Sequence, residues 1–123
     1  MDLNKIEDCE MLYRAVRKSV PDAFIDGKPT AALFIDNSGV SVDRAGDRCE
    51  DEIVKSFVER FGKRDDYGSC VKITAGECRE IGTYPNPVGN KKNKYHAEIH
   101  ESAEIKKISF LKALQLANQC KVV

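Results

Sequence analysis

The sequence predicts a single α+β domain over residues 1–123, a mostly antiparallel twisted sheet of about five strands with two main helices packed on one face. Three observations support this fold class. A chain of 123 residues fits one domain. Hydrophobic residues make up 41% and charged residues 33%, which is typical of a packed core with a solvated surface. The predicted elements follow the order β, ββ, α, β, short α, β, α, without the regular alternation that builds a parallel sheet.

The first elements are read from polarity and alternation. Residues 2–10 are polar and predict a short leading helix. Residues 11–17 predict a strand in which Leu12, Arg14 and Val16 share one face.

The middle of the chain contains a predicted hairpin and the clearest helix. Residues 31–36 form a nearly continuous apolar run, typical of a buried strand, and residues 40–43 alternate apolar and polar side chains. We expect these two segments to pair as a hairpin. Residues 50–62 place five apolar side chains on one helical stripe after an acidic start, which predicts an amphipathic helix ending at Gly62.

The last third predicts two strands and two helices. Residues 69–74 predict a strand, and Thr74-x-x-Glu77 is a candidate capping box that would start a short helix. Two prolines exclude a central strand from residues 83–94 and favour a loop with a basic tip. Residues 95–101 predict a strand, and residues 102–120 predict a C-terminal helix capped by Ser102.

Charge and cysteine content exclude several classes of protein. Twenty basic and twenty acidic side chains cancel, so no overall field attracts nucleic acid or an anionic membrane. Five cysteines, an odd number without C-x-x-C spacing, predict free thiols in a reducing cytoplasm. No signal peptide or apolar run of about 20 residues is present, so we expect a cytoplasmic protein without a membrane span. Nucleotide-binding glycine motifs are absent, and no cofactor is expected.

Both histidines lie in one predicted strand, as His96-x-Glu98-x-His100. On an extended chain these three side chains share a face, and the histidines stand roughly 13 Å apart, too far to bind one ion together. The H-E-x-x-H pattern of metalloproteases and the P-C-x-x-C of zinc deaminases are absent, which excludes these two classes of zinc enzyme, and no metal ligands are assigned. Three interpretations stay open: a polar binding surface, a histidine acid/base oriented by Glu98, and a metal site completed by ligands from elsewhere.

Two other features bear basic side chains that suit anionic ligands. Lys91, Lys92 and Lys94 form a cluster that could hold phosphate and, with nearby tyrosines, a nucleic acid; a solvated loop tip is the alternative. Arg14 interrupts an apolar strand. It is either a residue at the rim of the sheet or a guanidinium held for a carboxylate or phosphate.

The segments "LYRAV", "SVDR", "VKITAGECREIG" and "HAEI" resemble a family of small uncharacterised bacterial proteins. The resemblance covers about residues 11–100. It implies a bacterial origin and no particular activity, and it draws attention to four matching polar positions. These positions are Arg14, Ser41, Asp43 and His96. Glu98 and His100 depart from the family's pattern.

Two hypotheses of function follow. The first is a small accessory or regulatory protein that binds a protein partner through an exposed sheet face or edge. The alternative is a small hydrolase or RNA-cleaving nuclease with His96 as acid/base, Glu98 as orienter, and Arg14 or the loop lysines as a phosphate clamp. A third, weaker hypothesis is single-stranded nucleic-acid binding through those lysines. A concave pocket holding His96 near Arg14 or Asp43 would favour the enzyme, and a flat surface the binding protein.

Overall fold

A computed structural model describes all residues 1–123 as a six-stranded antiparallel sheet with helices on both faces, plus a small two-stranded ribbon. The strands are β1 (Met11–Arg17), β2 (Phe24–Ile25), β3 (Lys28–Pro29), β4 (Val40–Arg44), β5 (Tyr67–Thr74), β6 (Tyr84–Pro87), β7 (His96–His100) and β8 (Lys121–Val122). The helices are α1 (Glu50–Gly62), α2 (Ala75–Ile81) and α3 (Phe110–Gln119). The main sheet has the order β6-β7-β4-β1-β5-β8, and β2 pairs with β3. None of the helices has the length and hydrophobicity that crossing a bilayer requires.

The predicted α+β class is confirmed, and the sheet has one strand more than expected. The helices differ from the expected arrangement, because they cover both faces of the sheet. Ile53 and Phe57 of α1 pack with Tyr13, whereas Leu116 of α3 belongs to the larger core that contains Leu12. Adjacent residues of a strand point to opposite faces of the sheet. Because Leu12 and Tyr13 are both buried, helices must pack on both faces of the sheet at β1.

Helix α1 covers only half of the sheet face on which it packs. It packs against β1 and β5, where the side chains beneath it are apolar. On the same face, β4 and β7 present Ser41, Asp43, His96 and Glu98, which the register pairs side by side. These polar residues give a second helix nothing apolar to bury, so this half of the face stays open to solvent.

The two central strands of the sheet, β1 and β4, are hydrogen-bonded over only a short part of their length. β1 and β4 pair through only Leu12↔Arg44 and Tyr13↔Asp43, whereas β4 pairs with β7 over four residues. Beyond Tyr13 the two strands part, and the side chain of Arg14 lies in the gap.

The leading helix predicted for residues 2–10 is wrong. Arg44, only 1% exposed, forms two hydrogen bonds with the carboxylate of Glu10 and donates to the backbone carbonyls of Asp2 and Lys5. A helix would use such carbonyls for its own hydrogen bonds. The buried guanidinium instead holds the segment irregular.

The strand predicted for residues 31–36 is also wrong. Ala31–Phe34 is a turn of 3₁₀ helix, and Ala31, Leu33 and Phe34 are buried in the larger core with α3. A short apolar run signals burial but does not distinguish a strand from a helical turn. The hairpin with β4 is therefore absent, and β4 pairs with β1 and β7.

The other predicted elements hold, with shifted ends. Helix α1 covers the predicted residues, and Thr74 and Glu77 form the predicted capping box before α2. Residues 84–87 of the predicted loop form β6, an edge strand, which is where prolines are tolerated. Helix α3 begins after Ser109, not Ser102, because the Ser102 hydroxyl closes a separate turn by accepting from two backbone N–H groups.

Candidate functional site

A cavity of about 330 Å³ opens where β1 and β4 part, between the sheet and the last turn of α1. Six acidic or basic side chains line it. These are Arg14, Arg17, Asp36, Asp43, Arg60 and His96. Aromatic side chains of α1, Phe57 and Phe61, form part of its wall.

Arg14 is the central residue of this cavity. Its Nε donates to the carbonyl of Leu33 at 2.7 Å, and its Nη1 donates to the carbonyl of Ser41 at 2.8 Å. Its Nη2 forms no hydrogen bond within the chain, yet it is not sealed from the surface. Two hydrogen bonds to the backbone thus fix the plane of the guanidinium, and three of its five N–H groups, two on Nη2 and one on Nη1, have no partner within the chain.

The charge of Arg14 has no carboxylate partner within salt-bridge distance. Desolvation lowers its pKa from the usual value of arginine to about 10, and the charge of nearby Asp36 only partly opposes that change. Arg14 therefore remains charged at neutral pH but is partly desolvated and has no carboxylate of the chain in contact with it. Burial of an unpaired charge is costly, and an anion bound in the cavity would reduce that cost.

The other arginines of the cavity do have acidic partners. Nε of Arg17 lies 2.6 Å from Oδ2 of Asp66. Nη2 of Arg60 lies 3.1 Å from Oδ2 of Asp43, and Arg48 approaches the same oxygen at 3.5 Å. Asp43 is only 2% exposed, so these contacts hold it in place. Arg14 is thus the arginine of the cavity whose charge is uncompensated.

The structure places His96, Glu98 and His100 on one side of β7, as predicted. Nε2 of His100 and Oε1 of Glu98 are hydrogen-bonded at 2.8 Å, while Nε2 of His96 lies 3.8 Å from the other carboxylate oxygen. His96 lines the cavity with Arg14, whereas Glu98 is bonded to the buried His100. The cavity therefore combines two of the three predicted catalytic residues, and Glu98 does not hydrogen-bond to His96.

The predicted phosphate-binding lysines do not join this site. Lys91, Lys92 and Lys94 are exposed on the loop between β6 and β7, and none of them lines the cavity. The ammonium of Lys94 lies 5.1 Å from the ring centre of Tyr95, which is a local contact within that loop. The arginines, not these lysines, make the cavity basic.

Metal and thiol chemistry receive no support from the geometry. No group of three or more His, Cys, Asp or Glu side chains is arranged to bind a metal ion. All five cysteines are free, and burial raises the pKa values of the Cys70 and Cys78 thiols to about 12. Such thiols stay protonated at neutral pH and are poor nucleophiles.

Sequence reasoning missed Arg17 and Arg60, and it considered Asp36 only as a possible third ligand of a metal bound at the histidine strand. A signal for Arg60 was present, because it lies seven residues after Ile53 and so returns to the buried stripe of α1. A charged residue on an apolar stripe indicates a partner or a site. Arg17 and Asp36 carried no comparable signal, since they enter the cavity through the separation of β1 from β4.

Comparison of the chain with protein-family models, with curated proteins and with solved structures gave no match.

Proposed function

We propose that the protein is a cytoplasmic accessory or regulatory protein that binds a partner on the open half of its sheet, with an anionic group of the partner held by Arg14. The observation that carries this proposal is the fixed guanidinium with no carboxylate partner and one free nitrogen. Charged hydrogen bonds to a desolvated arginine are strong and directional. The five free cysteines suit a reducing compartment.

The surroundings of the cavity support recognition of something larger than an ion. Ser41, His96 and Glu98 extend the polar surface beyond Arg14, and Tyr84 on the edge strand is 43% exposed. Arginine and tyrosine are frequent among the residues that dominate binding energy at interfaces. In this proposal Arg14 supplies the anchoring charge, and the neighbouring strands supply contact area.

The proposal is tested by NMR on ¹⁵N-labelled protein titrated with acetate and with inorganic phosphate. We expect amide shifts centred on Arg14, Ser41 and His96 with at least one of these anions. Arg14→Met keeps much of the side-chain shape but removes the charge, and it should abolish the shifts. Lys92→Met removes a charge outside the cavity and should leave them unchanged. Absence of localised shifts in the unaltered protein, or their persistence in Arg14→Met, would contradict the proposal.

A second candidate is the small hydrolase or RNA-cleaving nuclease, favoured by the presence of His96 and Arg14 in one cavity. His96 would move the proton, and Arg14 would bind the phosphate. Neither the Glu98 orienter nor the lysine clamp stands at this cavity, so fewer groups converge than an enzyme normally uses. Single-stranded nucleic-acid binding through the lysine loop stays a prediction.

Catalysis is tested with fluorogenic RNA and with a small phosphodiester substrate. The unaltered protein is compared with the variants His96→Gln and His100→Gln. Turnover that is lost in His96→Gln but retained in His100→Gln would establish this candidate. Equal background hydrolysis by all three proteins would reject it.

A further inference from the structure

We propose that the cavity is specific for a singly charged carboxylate, either the C-terminus of a peptide or a small free carboxylic acid. This inference rests on the proposed function and names the chemistry of the group that Arg14 holds. It is carried by the charge balance of the cavity and by the recessed position of Arg14.

The charge balance favours one negative charge. Three guanidinium groups line the cavity, those of Arg14, Arg17 and Arg60. Two carboxylates line it as well, those of Asp36 and Asp43. One positive charge remains, so a single negative charge completes the balance and a second one would be repelled.

Asp36 places a negative charge near Arg14, where it acts against a ligand with two negative charges. It is an exposed residue of the cavity lining, and its carboxylate acts on the charge of Arg14. Its Oδ1 accepts from the backbone N–H of Ser38 at 2.9 Å, which orients the carboxylate. An incoming dianion meets this negative charge as well as Arg14, whereas a monoanion can be attracted by Arg14 with less repulsion.

The shape of the site favours an anionic group at the end of a chain over one that links two chains. Nε of Arg14 and one N–H of Nη1 donate to backbone carbonyls, so a ligand must reach Nη2 or the second N–H of Nη1. A carboxylate is flat and carries its chain on one side only. A phosphodiester carries two ester chains, and both would have to fit in a cavity of about 330 Å³. A small acid or the last residues of a peptide suit that volume.

Isothermal titration calorimetry at pH 7.5 tests the inference with five probes. They are propionate, an acetylated dipeptide with a free C-terminus, the same dipeptide amide, dimethyl phosphate and phenyl phosphate, which is largely dianionic at this pH. We expect both carboxylates to bind more tightly than either phosphate, and the amide not to bind. Affinity at least several-fold higher for the dipeptide acid than for propionate would identify a chain terminus as the source, and equal affinity a free acid.

The variant Asp36→Asn provides the charge control. Asparagine keeps the oxygen that accepts from Ser38 and removes one negative charge, so it should raise the affinity for phenyl phosphate about tenfold relative to that for propionate. Tighter binding of either phosphate than of both carboxylates by the unaltered protein would overturn this inference and leave the proposed function standing. Binding of none of the probes would overturn both.

Discussion

The effect of Arg14→Met on the free energy of unfolding shows whether Arg14 serves to bind a ligand or to stabilise the fold. The fold lowers the pKa of Arg14 from the usual value of arginine to about 10, a shift that corresponds to a penalty of about 3 kcal/mol for keeping the side chain charged. This penalty is present at all pH values below about 10 and is relieved as the side chain deprotonates above it. Against it stand two charged hydrogen bonds to the carbonyls of Leu33 and Ser41, together about 3–6 kcal/mol.

The two contributions largely offset each other. Arg14→Met removes both, and the freed carbonyl groups border a cavity that water can enter. We therefore expect Arg14→Met to lower the free energy of unfolding by at most about 3 kcal/mol. Urea denaturation followed by far-UV circular dichroism measures this change.

Arg44→Met is the matched control within the same chain. Arg44 is buried, and its removal leaves the carboxylate of Glu10 and two backbone carbonyls without their donor. We expect a loss of about 3–5 kcal/mol for Arg44→Met. If Arg14→Met lost as much as Arg44→Met, Arg14 would be a structural residue and the reasoning that makes it a binding residue would be refuted.

Three further predictions concern the frame around the site. Asp66 has a pKa below its usual value, mainly because the Ser19 N–H donates to it, so its stabilisation is present above about pH 4 and is lost as pH falls through the lowered pKa. Asp66→Asn should therefore unfold more easily than the unaltered protein in urea at pH 7, and the two curves should converge in acid; a constant difference would contradict this. Gly39→Ala should cost roughly 2 kcal/mol, because φ is +90° and a Cβ would stand 2.5 Å from the His100 ring. Gly27→Ala, with φ +75° and open space, measures the strain alone, and an equal loss in both variants would argue against the His100 contact. Thr74→Ala should cost about 1 kcal/mol by removing the cap of α2, and an unchanged thermal midpoint would show that the cap contributes nothing.

Locally encoded features were predictable from the sequence. The stripe of α1 and the capping box at Thr74 depend on residues a few positions apart, so a window of sequence contains all the information they need. The common face of His96 and Glu98 follows in the same way from the period of an extended chain.

Features that depend on distant partners were not predictable. The irregular path of residues 2–10 results from Arg44, which lies more than thirty residues away along the chain. The cavity exists because β1 and β4 pair over two residues only, and nothing local in either strand signals that separation. Arg14 could be recognised from the sequence as an unusual strand residue, but the absence of a carboxylate partner is a property of the folded chain.

The most direct measurement is the NMR spectrum of the arginine side chains during titration with propionate. The guanidinium resonances of Arg14 should shift and saturate, because its Nη2 gains a hydrogen-bond acceptor. Those of Arg44, which are enclosed by Glu10 and backbone carbonyls, should not move. An Arg14 signal that stays in place at saturating propionate, or one that moves no more than that of Arg44, would contradict the assignment of this cavity as an anion-binding site.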